Sequence, residues 1–393
     1  MKYTSVIELD QKALKKNISY LKKVCGPDVK FVSVIKGNAY GHGINTYIPI
    51  AEKCRIDYFA VFDIYEAHQA FSVKQNNTSL MILGGIEPHE LEWVIRNDIS
   101  FFVSDLDSLK QTIHTARKLG KKAKIHLEIE TGLHRTGVEE HNFYLITELI
   151  QKYNGLLELE GICTHFAGAE SIANYIRVHK QIEKFNKSVD WLKSKGLSAT
   201  YYHTACSAAA LLYPETRFNM VRIGIAQYGF WPSQETKIHR LLTDNAMYKK
   251  NPLKRILSWK SKIIGIKKVE MGEFIGYGIS HQASHETRIA TIPVGYFHGY
   301  RRSLSNVGYV LVHGKIAPIL GVVNMSIMIV DITRIPGVKK WDEVVLIGKQ
   351  GKNEITVASF SEQVNLVNYE LLVRLPVQIP RIIINNKKKK NDK

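Results

Sequence analysis

Short apolar runs rich in β-branched residues alternate with stretches of helical periodicity along the first 230 residues. In the first periodic stretch, Leu14, Ile18, Leu21 and Cys25 are spaced to lie on one helix face, while the intervening lysines lie off it. Eight strands that alternate with helices match the number in a closed parallel (β/α)8 barrel, so the pattern predicts this architecture. Periodicity alone is also compatible with an open doubly wound sheet. The eight runs that predict strands are 30–35, 58–62, 80–83, 100–103, 123–129, 157–164, 200–204 and 220–226.

After about residue 240 the apolar runs lie close together and are separated by turn residues instead of helices. This spacing predicts an antiparallel β domain. The polar stretch 233–251 carries no strong pattern, so we place the boundary there, with a barrel over 1–240 and a β domain over 241–385. The lysine-rich end, 386–393, is predicted to be a disordered basic tail. The runs that predict β strands are 258–267, 286–294, 309–312, 317–323, 326–331 and 343–347.

Composition narrows the class of protein. A chain of 393 residues suits two domains, and 45% hydrophobic with 23% charged residues excludes disorder and low-complexity architecture. No run approaches the ~18 apolar residues that a membrane span needs. The opening MKYTSVIELD contains no apolar signal region. We therefore expect a cytoplasmic protein without a membrane partner.

The formal net charge of +18 raises the question of a nucleic-acid partner. Five lysines against Asp392 give +4 in the last seven residues, and the remaining charge is spread along amphipathic stretches. This distribution is typical of a solvated basic surface, so we expect no nucleic-acid binding. The four cysteines form no C-x-x-C pair, which favours buried thiols over disulfides, and we predict no metal site.

Lys36 comes directly after the first predicted barrel strand and is followed by Gly37, Gly41 and Gly43. Catalytic groups of barrels collect at the carboxyl ends of the strands. Burial there lowers the pKa of an amine, as a lysine that forms a Schiff base requires. The glycines allow the backbone to approach a ligand closely. Lys36 is therefore a candidate for covalent catalysis.

The segment 34–43, VIKGNAYGHG, closely resembles the motif around the cofactor lysine of alanine racemases. These are pyridoxal-phosphate (PLP) enzymes built from a barrel followed by a β domain. The resemblance covers nearly the whole chain, to about Arg381. Further matching segments follow in the family's order: 6–10, 131–137, 164–167, 207–209, 221–225, 276–278, 294–296, 324–325 and 368–370.

The resemblance implies a set of cofactor-binding residues. Lys36 would bind PLP covalently, and His165 would pack against its ring. Arg222 would face the pyridine nitrogen and, because a guanidinium is not deprotonated at working pH, would keep that nitrogen unprotonated. The residues implied to bind the phosphate are Tyr40, Ser207 and Tyr369 with the backbone N–H groups of Gly224 and Ile225.

The resemblance also implies an activity, the interconversion of L- and D-alanine that supplies D-alanine for the bacterial cell wall. Tyr277 from the partner subunit of a homodimer would remove the α-proton on one face, and Lys36 would serve the opposite face. Two residues are implied to bind in the substrate site. Arg135 would form a hydrogen bond on the phenolate side of the cofactor, and the backbone N–H of Met325 would bind the substrate carboxylate.

Departures from the family pattern leave the substrate open. Asn324 and Ser326 flank Met325 where Cys and Asp are usual, and Cys206 replaces an Asn. A racemase of broader specificity, for example for serine or lysine, is therefore an alternative. A PLP-dependent decarboxylase would place a carboxylate opposite the pyridine nitrogen, where this chain has Arg222. A PLP-binding protein without catalytic activity would lack the β domain.

Glu128 occupies the position where many members of the family have a carbamylated lysine. One interpretation is that its carboxylate holds Arg135 directly, without carbamylation. The alternative is that Glu128 points to solvent and pairs with Lys122 or Lys124.

Overall fold

The computed structural model describes residues 3, 5–243, 251–362 and 368–385, so the predicted tail 386–393 lies outside the described residues. The chain divides into two units. The first is composed of Ala13–Lys36 and Tyr47–Lys254, and the second contains the described residues of Met1–Lys12, Gly37–Thr46 and Arg255–Lys393. The expected boundary near residue 240 lies in a stretch that is only partly described, and it stays a proposal.

The strands of the described chain are β1 (Ser5–Asp10), β2 (Lys30–Val34), β3 (Tyr58–Val61), β4 (Ser79–Ile82), β5 (Ser100–Val103), β6 (Ala123–Glu128), β7 (Leu157–Cys163), β8 (Tyr201–His203), β9 (Met220–Ile223), β10 (Leu257–Lys262), β11 (Gly265–Val269), β12 (Thr287–Ile292), β13 (Tyr309–Val312), β14 (Lys315–Pro318), β15 (Met328–Asp331), β16 (Glu343–Gln350), β17 (Asn353–Ile355) and β18 (Arg381–Ile384). The α-helices are Gln11–Cys25, Ile44–Glu52, Ile64–Val73, Leu91–Arg96, Leu106–Leu119, Phe143–Lys152, Tyr175–Ser194, Ser207–Leu212, Gln234–Thr243, Val357–Glu362 and Asn368–Val373.

The first unit is a parallel barrel. Its eight strands are paired in the order β8-β7-β6-β5-β4-β3-β2-β9. Across the remaining gap, the backbone N–H of Arg222 on β9 donates to the carbonyl oxygen of Ala205, just after β8, at 3.0 Å. The barrel is therefore nearly closed. This confirms the predicted (β/α)8 architecture with strands at all eight predicted positions, and it rejects the open sheet.

The first helix follows the predicted periodicity. Within Gln11–Cys25, the apolar positions Leu14, Ile18, Leu21 and Cys25 are all buried. Asn17 is buried on the same helix, and its amide donates to the carbonyl oxygens of Gln227 at 3.1 Å and Lys254 at 2.7 Å. The polar side chain is tolerated there because each donor has a partner.

The second unit contains two β sheets. The larger has the order β14-β13-β16-β10-β1-β18, with β17 paired to β16, and the smaller has the order β11-β12-β15. All pairs are antiparallel except β1 with β18, which are parallel. The predicted antiparallel β architecture is confirmed, while the contribution of the N-terminal strand β1 to it was not predicted.

Two of the predicted β runs differ most from the observed strands. The run 258–267 is two strands, β10 and β11, in different sheets. The chain changes sheet between two consecutive residues. The backbone N–H of Ile263 donates to the carbonyl oxygen of Asp342, directly before β16, at 3.0 Å, whereas the N–H of Ile264 donates to the carbonyl oxygen of Thr291 in β12 at 2.9 Å. The run 317–323 is a strand only as far as Pro318, and Gly321 has a left-handed φ of 73°. Such a backbone interrupts regular strand geometry.

No helix among residues 3, 5–243, 251–362 and 368–385 is long and apolar enough to cross a membrane. The four cysteines are free thiols, as expected. Cys25, Cys54 and Cys163 are buried, whereas Cys206 is half-buried.

Candidate active site

Lys36 lies at the carboxyl end of β2, where the backbone N–H of the preceding Ile35 still bonds to β3 through the carbonyl oxygen of Ala60 at 2.8 Å. Surrounding protein atoms lower the pKa of the Lys36 amine, and the positive charges of Arg135 and Arg222 lower it further. The carboxylate of Glu66 opposes this shift. The residue itself is accessible to solvent. An amine with a lowered pKa in an accessible position is a nucleophile at lower pH than an ordinary lysine.

A left-handed turn follows Lys36. Five consecutive residues, Gly37 to Gly41, have φ between 51° and 77°. This conformation costs roughly 1–2 kcal/mol for each residue with a Cβ atom, so it needs support from its surroundings. Asn38 accepts a hydrogen bond from the backbone N–H of Ile44 at 3.0 Å, and Arg381 donates to the carbonyl oxygen of Gly41 at 2.9 Å. Strain of this kind is concentrated at functional sites.

Gly41 also shows why the turn requires glycine. A Cβ atom at this position would lie 1.9 Å from the carbonyl oxygen of Leu372 in the same unit. The close approach brings helix Asn368–Val373 against the turn, and the rings of Tyr40 and Tyr369 lie 6.2 Å apart. The structure therefore places these two predicted phosphate-binding tyrosines together in the second unit.

Arg222 is a buried residue of β9. Its guanidinium donates to the carbonyl oxygens of His203 at 2.9 Å and Thr164 at 2.8 Å, and to Nδ1 of His203. The plane also lies 5.8 Å from the ring centre of Phe102. These contacts fix the orientation of a permanent positive charge inside the barrel.

His165 follows β7 and lies beside Arg222, with 3.5 Å between Nδ1 and Nη2. Burial lowers the pKa of His165 to about 3, and the charges of Arg222, Arg135 and Lys36 contribute to the shift. The imidazole is consequently neutral at physiological pH. A neutral aromatic ring is suited to pack against another ring without adding charge.

Ser207 begins the helix that follows β8, and its hydroxyl oxygen accepts a hydrogen bond from the backbone N–H of Gly224 at 2.9 Å. Gly224 and Ile225 come directly after β9. The structure thus brings three of the predicted phosphate-binding residues together in the barrel.

Arg135 lies in an exposed loop after β6. The carboxylate of Glu130 holds the beginning of this loop, because it accepts hydrogen bonds from the backbone N–H groups of Gly132 and, at 2.9 Å, His134. His134 has a left-handed φ of 56°. The loop is therefore shaped by Glu130 immediately before Arg135.

The structure contradicts the solvent-exposed interpretation of Glu128 and shows no direct ion pair with Arg135 among the described residues. Its side chain is buried, so it does not point to solvent beside Lys122 or Lys124. Among the described residues, no ion pair within 4.0 Å joins Glu128 to Arg135. Burial raises the pKa of the carboxyl group, and a hydrogen bond from Thr136 with the charges of Arg222 and Arg135 opposes that shift. Glu128 therefore contacts the loop through Thr136, next to Arg135, and affects both arginines through its charge.

Tyr277 and Met325 belong to the second unit. Tyr277 lies in the loop between β11 and β12 and is 75% exposed. Gly276 and Gly278 on either side have φ of 81° and 69°. Met325 precedes β15 and is 58% exposed. These two side chains are therefore available to contact another molecule.

Two groups of polar residues were missed by the sequence analysis. Glu66, in the first turn of helix Ile64–Val73, is buried and accepts a hydrogen bond from the backbone N–H of Phe62 at 3.0 Å. Asp63 accepts from the N–H of Glu66 at 2.9 Å, a D-x-x-E helix start that marks the position in the sequence. The second group is a chain of hydrogen bonds that contains the buried His126 and His203 and the half-buried Glu160.

Comparisons with known proteins cover almost the whole chain. The family described as alanine racemase, N-terminal domain, matches residues 9–232, and the family described as alanine racemase, C-terminal domain, matches residues 256–383. The alanine racemase of Leptospira interrogans serogroup Icterohaemorrhagiae serovar copenhageni is 34% identical over 383 residues, which cover 98% of this chain and 96% of that protein.

Solved structures give the same result. The alanine racemase of Clostridium difficile 630 has a TM-score of 0.87 and 30% identity, with 98% of this chain and 97% of that chain covered. A structure of the alanine racemase from Bartonella henselae with covalently bound pyridoxal phosphate has a TM-score of 0.80 and 25% identity, with 97% and 100% covered.

Proposed function

Because the chain belongs to the alanine racemase family, we propose that it is a PLP-dependent racemase that interconverts L- and D-alanine. The observation that carries the proposal is Lys36, an accessible amine of lowered pKa at the carboxyl end of a barrel strand. In the family D-alanine serves cell-wall synthesis, and we propose the same use here.

The described residues of the barrel fit PLP. The cofactor needs an amine for its aldehyde, a cationic or acidic group opposite its ring nitrogen, and donors for its phosphate. Lys36 supplies the amine and Arg222 a buried guanidinium. The Ser207 hydroxyl accepts a hydrogen bond from the backbone N–H of Gly224 at 2.9 Å, so its own hydrogen is available for donation to an anion.

PLP, when bound, stabilises the negative charge that remains on the α-carbon of an amino acid after its proton departs. The residues of this chain would move that proton. We propose that Nζ of Lys36 exchanges it on one face of the substrate and that the Tyr277 oxygen exchanges it on the other. Two bases on opposite faces are suited to racemisation, because one base would have to cross the cofactor plane or exchange its proton with solvent.

Arg222 would limit the spread of negative charge into the cofactor ring. Its guanidinium has only donors and stays charged, so it does not transfer a proton to the ring nitrogen. We propose that this property keeps the carbanion short-lived and disfavours transamination. The same property argues against the decarboxylase alternative, which pairs a carboxylate with that nitrogen.

We propose that the active protein is a homodimer in which Tyr277 acts in the site of the partner subunit. The exposure of Tyr277, 75% within its own chain, supports this arrangement. An aromatic side chain on a glycine-bounded loop gains stabilisation when a partner covers it. Size-exclusion chromatography with light scattering tests the dimer directly, and a monomer with full activity would contradict it.

The substrate needs its own experiment, since Asn324 and Ser326 flank Met325 and differ from the usual residues. Purified protein with PLP is incubated with a panel of L-amino acids, and the enantiomers are separated by chiral chromatography. We expect D-alanine to form fastest. Faster conversion of serine or lysine would favour the racemase of broader specificity, and release of carbon dioxide without D-amino acid would favour a decarboxylase.

Covalent attachment of the cofactor is tested separately. Borohydride reduction of the holoenzyme followed by peptide mapping should place the pyridoxyl group on Lys36. Attachment to another lysine, such as Lys30 at the other end of β2, would contradict the assignment of the site.

A further inference from the structure

A chain of hydrogen bonds crosses the barrel interior from Arg222 to Glu160. The guanidinium of Arg222 donates to Nδ1 of His203. Nε2 of His203 lies 2.8 Å from Nδ1 of His126, and Nε2 of His126 lies 3.0 Å from Oε2 of Glu160. Both imidazoles are completely buried. The chain joins strands β9, β8, β6 and β7.

The two ends of the chain independently require the same histidine tautomers. A guanidinium has no acceptor, so Nδ1 of His203 must accept and its proton must be on Nε2. That proton faces Nδ1 of His126, which must accept in turn. A carboxylate has no donor, so Nε2 of His126 must carry the proton that Glu160 accepts. Every N–H in the chain therefore points from Arg222 toward Glu160.

The protonation states agree with this direction. Burial lowers the pKa values of His126 and His203, and the charge of Arg222 lowers both further. The hydrogen bond and the charge of Glu160 oppose the shift at His126 without reversing it, so both imidazoles are neutral at physiological pH. Burial alone would raise the pKa of Glu160, but hydrogen bonds from His126, Ser100 and Tyr58 outweigh it and keep the pKa below its ordinary value. The chain thus joins a positive to a negative charge through two neutral rings.

Local backbone geometry builds the Glu160 end. The register of β6 and β7 shifts so that Ile125 faces Leu159 and His126 faces Gly161, which leaves Glu160 as the additional residue of a bulge. A Cβ atom at Gly161 would lie 2.0 Å from Nδ1 of His126. Glycine is therefore needed at this position for the imidazole to take its place in the chain.

Arg222 needs a compensating charge. A buried cation is costly unless a nearby anion and hydrogen bonds offset its desolvation. In the described part of the chain, no carboxylate lies within 4.0 Å of its guanidinium. Glu128 interacts with the guanidinium electrostatically over more than 4.0 Å, but burial raises the pKa of that carboxyl group and so favours its neutral form. Hydrogen bonds, in contrast, hold Glu160 in its charged form.

We propose that Glu160 is a positioning residue that fixes the tautomers of His126 and His203, orients Arg222 and offsets its charge. The inference rests on the proposed function in one respect, the placing of Arg222 opposite the cofactor nitrogen. It adds to the cofactor site a carboxylate that is linked to Arg222 through two buried imidazoles.

The tautomers provide the first test. Histidines are labelled with 15N in the apoprotein and in the PLP-loaded protein. The ring nitrogens of His126 and His203 are assigned by comparison with variants in which one of these histidines is replaced. Both rings should carry one proton on Nε2 and should not titrate between about pH 6 and about pH 9. A proton on Nδ1 of either ring, or a charged imidazole in this range, would overturn the proposal.

The second test separates charge from structure with Glu160→Gln. A glutamine has the same shape and still accepts from His126, but it carries no charge. The control is Glu158→Gln, an exposed carboxylate on the same strand. The readout is the pH at which the visible absorbance of the lysine-bound PLP changes. An uncompensated Arg222 charge disfavours protonation of the cofactor-linked nitrogen, so this transition should move down by ~0.5 unit or more in Glu160→Gln.

Other titratable groups near both ends of the chain bear on this readout. Lys36 and Glu128 lie within electrostatic reach of Arg222, together with the neutral His165. Tyr58 faces Glu160 and, because burial raises its pKa well above the ordinary value, stays neutral. None of these residues is changed in either variant. A transition shifted in Glu160→Gln and not in Glu158→Gln therefore follows from the Glu160 charge.

The outcomes distinguish the proposal from its premises. If Glu160→Gln folds normally by circular dichroism and has the same cofactor transition as the wild type, the proposal is wrong. If the transition in Glu160→Asp, which keeps the carboxylate, lies closer to that of the wild type than the transition in Glu160→Gln does, the charge is the cause. If the wild-type protein racemises no amino acid, the proposed function fails, while the 15N tautomers still decide whether the chain of hydrogen bonds exists.

Discussion

The hydroxyl oxygen of Ser207 accepts a hydrogen bond from the backbone N–H of Gly224, with 2.9 Å between the two atoms. The bond joins the segment after β8 to the segment after β9, and Ala226 adds a longer contact of 3.5 Å to the same oxygen. In this bond the hydroxyl acts as acceptor, so its own hydrogen is available for donation to an anion. This geometry supports the assignment of the Ser207 hydroxyl to a phosphate site.

Ser207→Ala should weaken PLP binding. It removes one donor to the phosphate and leaves the N–H of Gly224 without its present partner. A hydrogen bond to a charged group contributes ~1.5–3 kcal/mol, which corresponds to an increase of ~10- to 100-fold in the dissociation constant. Equilibrium dialysis of apoprotein against PLP measures this value.

A matched control is Ser188→Ala. Ser188 is also buried, but its hydroxyl donates within helix Tyr175–Ser194 to the carbonyl oxygen of Lys184 at 2.8 Å. This variant should bind PLP as tightly as the wild type. Equal affinity in Ser207→Ala and Ser188→Ala would remove Ser207 from the phosphate site.

The acidity of the Lys36 amine should respond in opposite directions to two substitutions. Arg135→Ala removes a positive charge that lowers the pKa of Lys36, so the pKa should rise. Glu66→Gln removes a negative charge that opposes the shift, so the pKa should fall. The neutral amine is the reactive form. Apoprotein should therefore capture PLP more slowly at neutral pH in Arg135→Ala and faster in Glu66→Gln.

The measurement is the capture rate as a function of pH in stopped-flow absorbance, with Lys36→Ala as the blank. The exposed Lys36 side chain argues for a modest effect, because water screens charges at accessible positions. Shifts of the same sign in both variants would contradict the electrostatic explanation.

Tyr277→Phe should keep the absorbance of bound PLP but lower the conversion of L- to D-alanine. Loss of a positioned base typically costs ~10²- to 10⁴-fold in rate. Incorporation of solvent deuterium into L-alanine should fall in parallel. Tyr144→Phe, at an exposed position of helix Phe143–Lys152, is the control and should retain full activity. Near-normal exchange in Tyr277→Phe would mean that another group removes the proton.

The barrel was predictable because each strand and its helix are marked by local periodicity. Strands such as 100–103 were found at their observed limits. Strand β1 was not assigned to a sheet, because its partners β10 and β18 lie more than two hundred residues away in the sequence. Pairing of this kind leaves no local pattern beyond a short apolar run.

The chain from Arg222 to Glu160 was not predictable for a related reason. His126 lies within an apolar run, where a single histidine carries no information about its partner. The one local indication is Gly161, since an isolated glycine in a predicted strand indicates a bulge or a close approach. Its partner and the resulting position of Glu160 depend on the register between β6 and β7, which only the folded barrel defines.

Glu128→Gln should stabilise the protein at neutral pH and reduce its activity. Burial raises the pKa of Glu128 above its ordinary value of 4.5. Between 4.5 and the raised pKa the folded protein binds more protons than the unfolded chain, so the wild type loses stability as the pH rises through this range. Glutamine has no charge to bury. The melting temperature of Glu128→Gln should exceed that of the wild type by about 2 °C at pH 7, and the difference should shrink toward pH 4.

The same substitution should lower kcat/KM by about fivefold, because a neutral amide is a weaker hydrogen-bond partner for Thr136 and does not attract Arg222 and Arg135. Glu128 already carries a carboxylate, so bicarbonate should not change the activity of the wild type, and its intact mass should show no added carboxyl group. Thr136→Val tests the contact from the other side and should lower kcat/KM while Glu128 is retained. Two results would contradict this account of a buried carboxylate that acts by its charge. One is an increase in the activity of the wild type with bicarbonate. The other is a melting temperature of Glu128→Gln that, relative to the wild type, is lower at pH 7 than at pH 4.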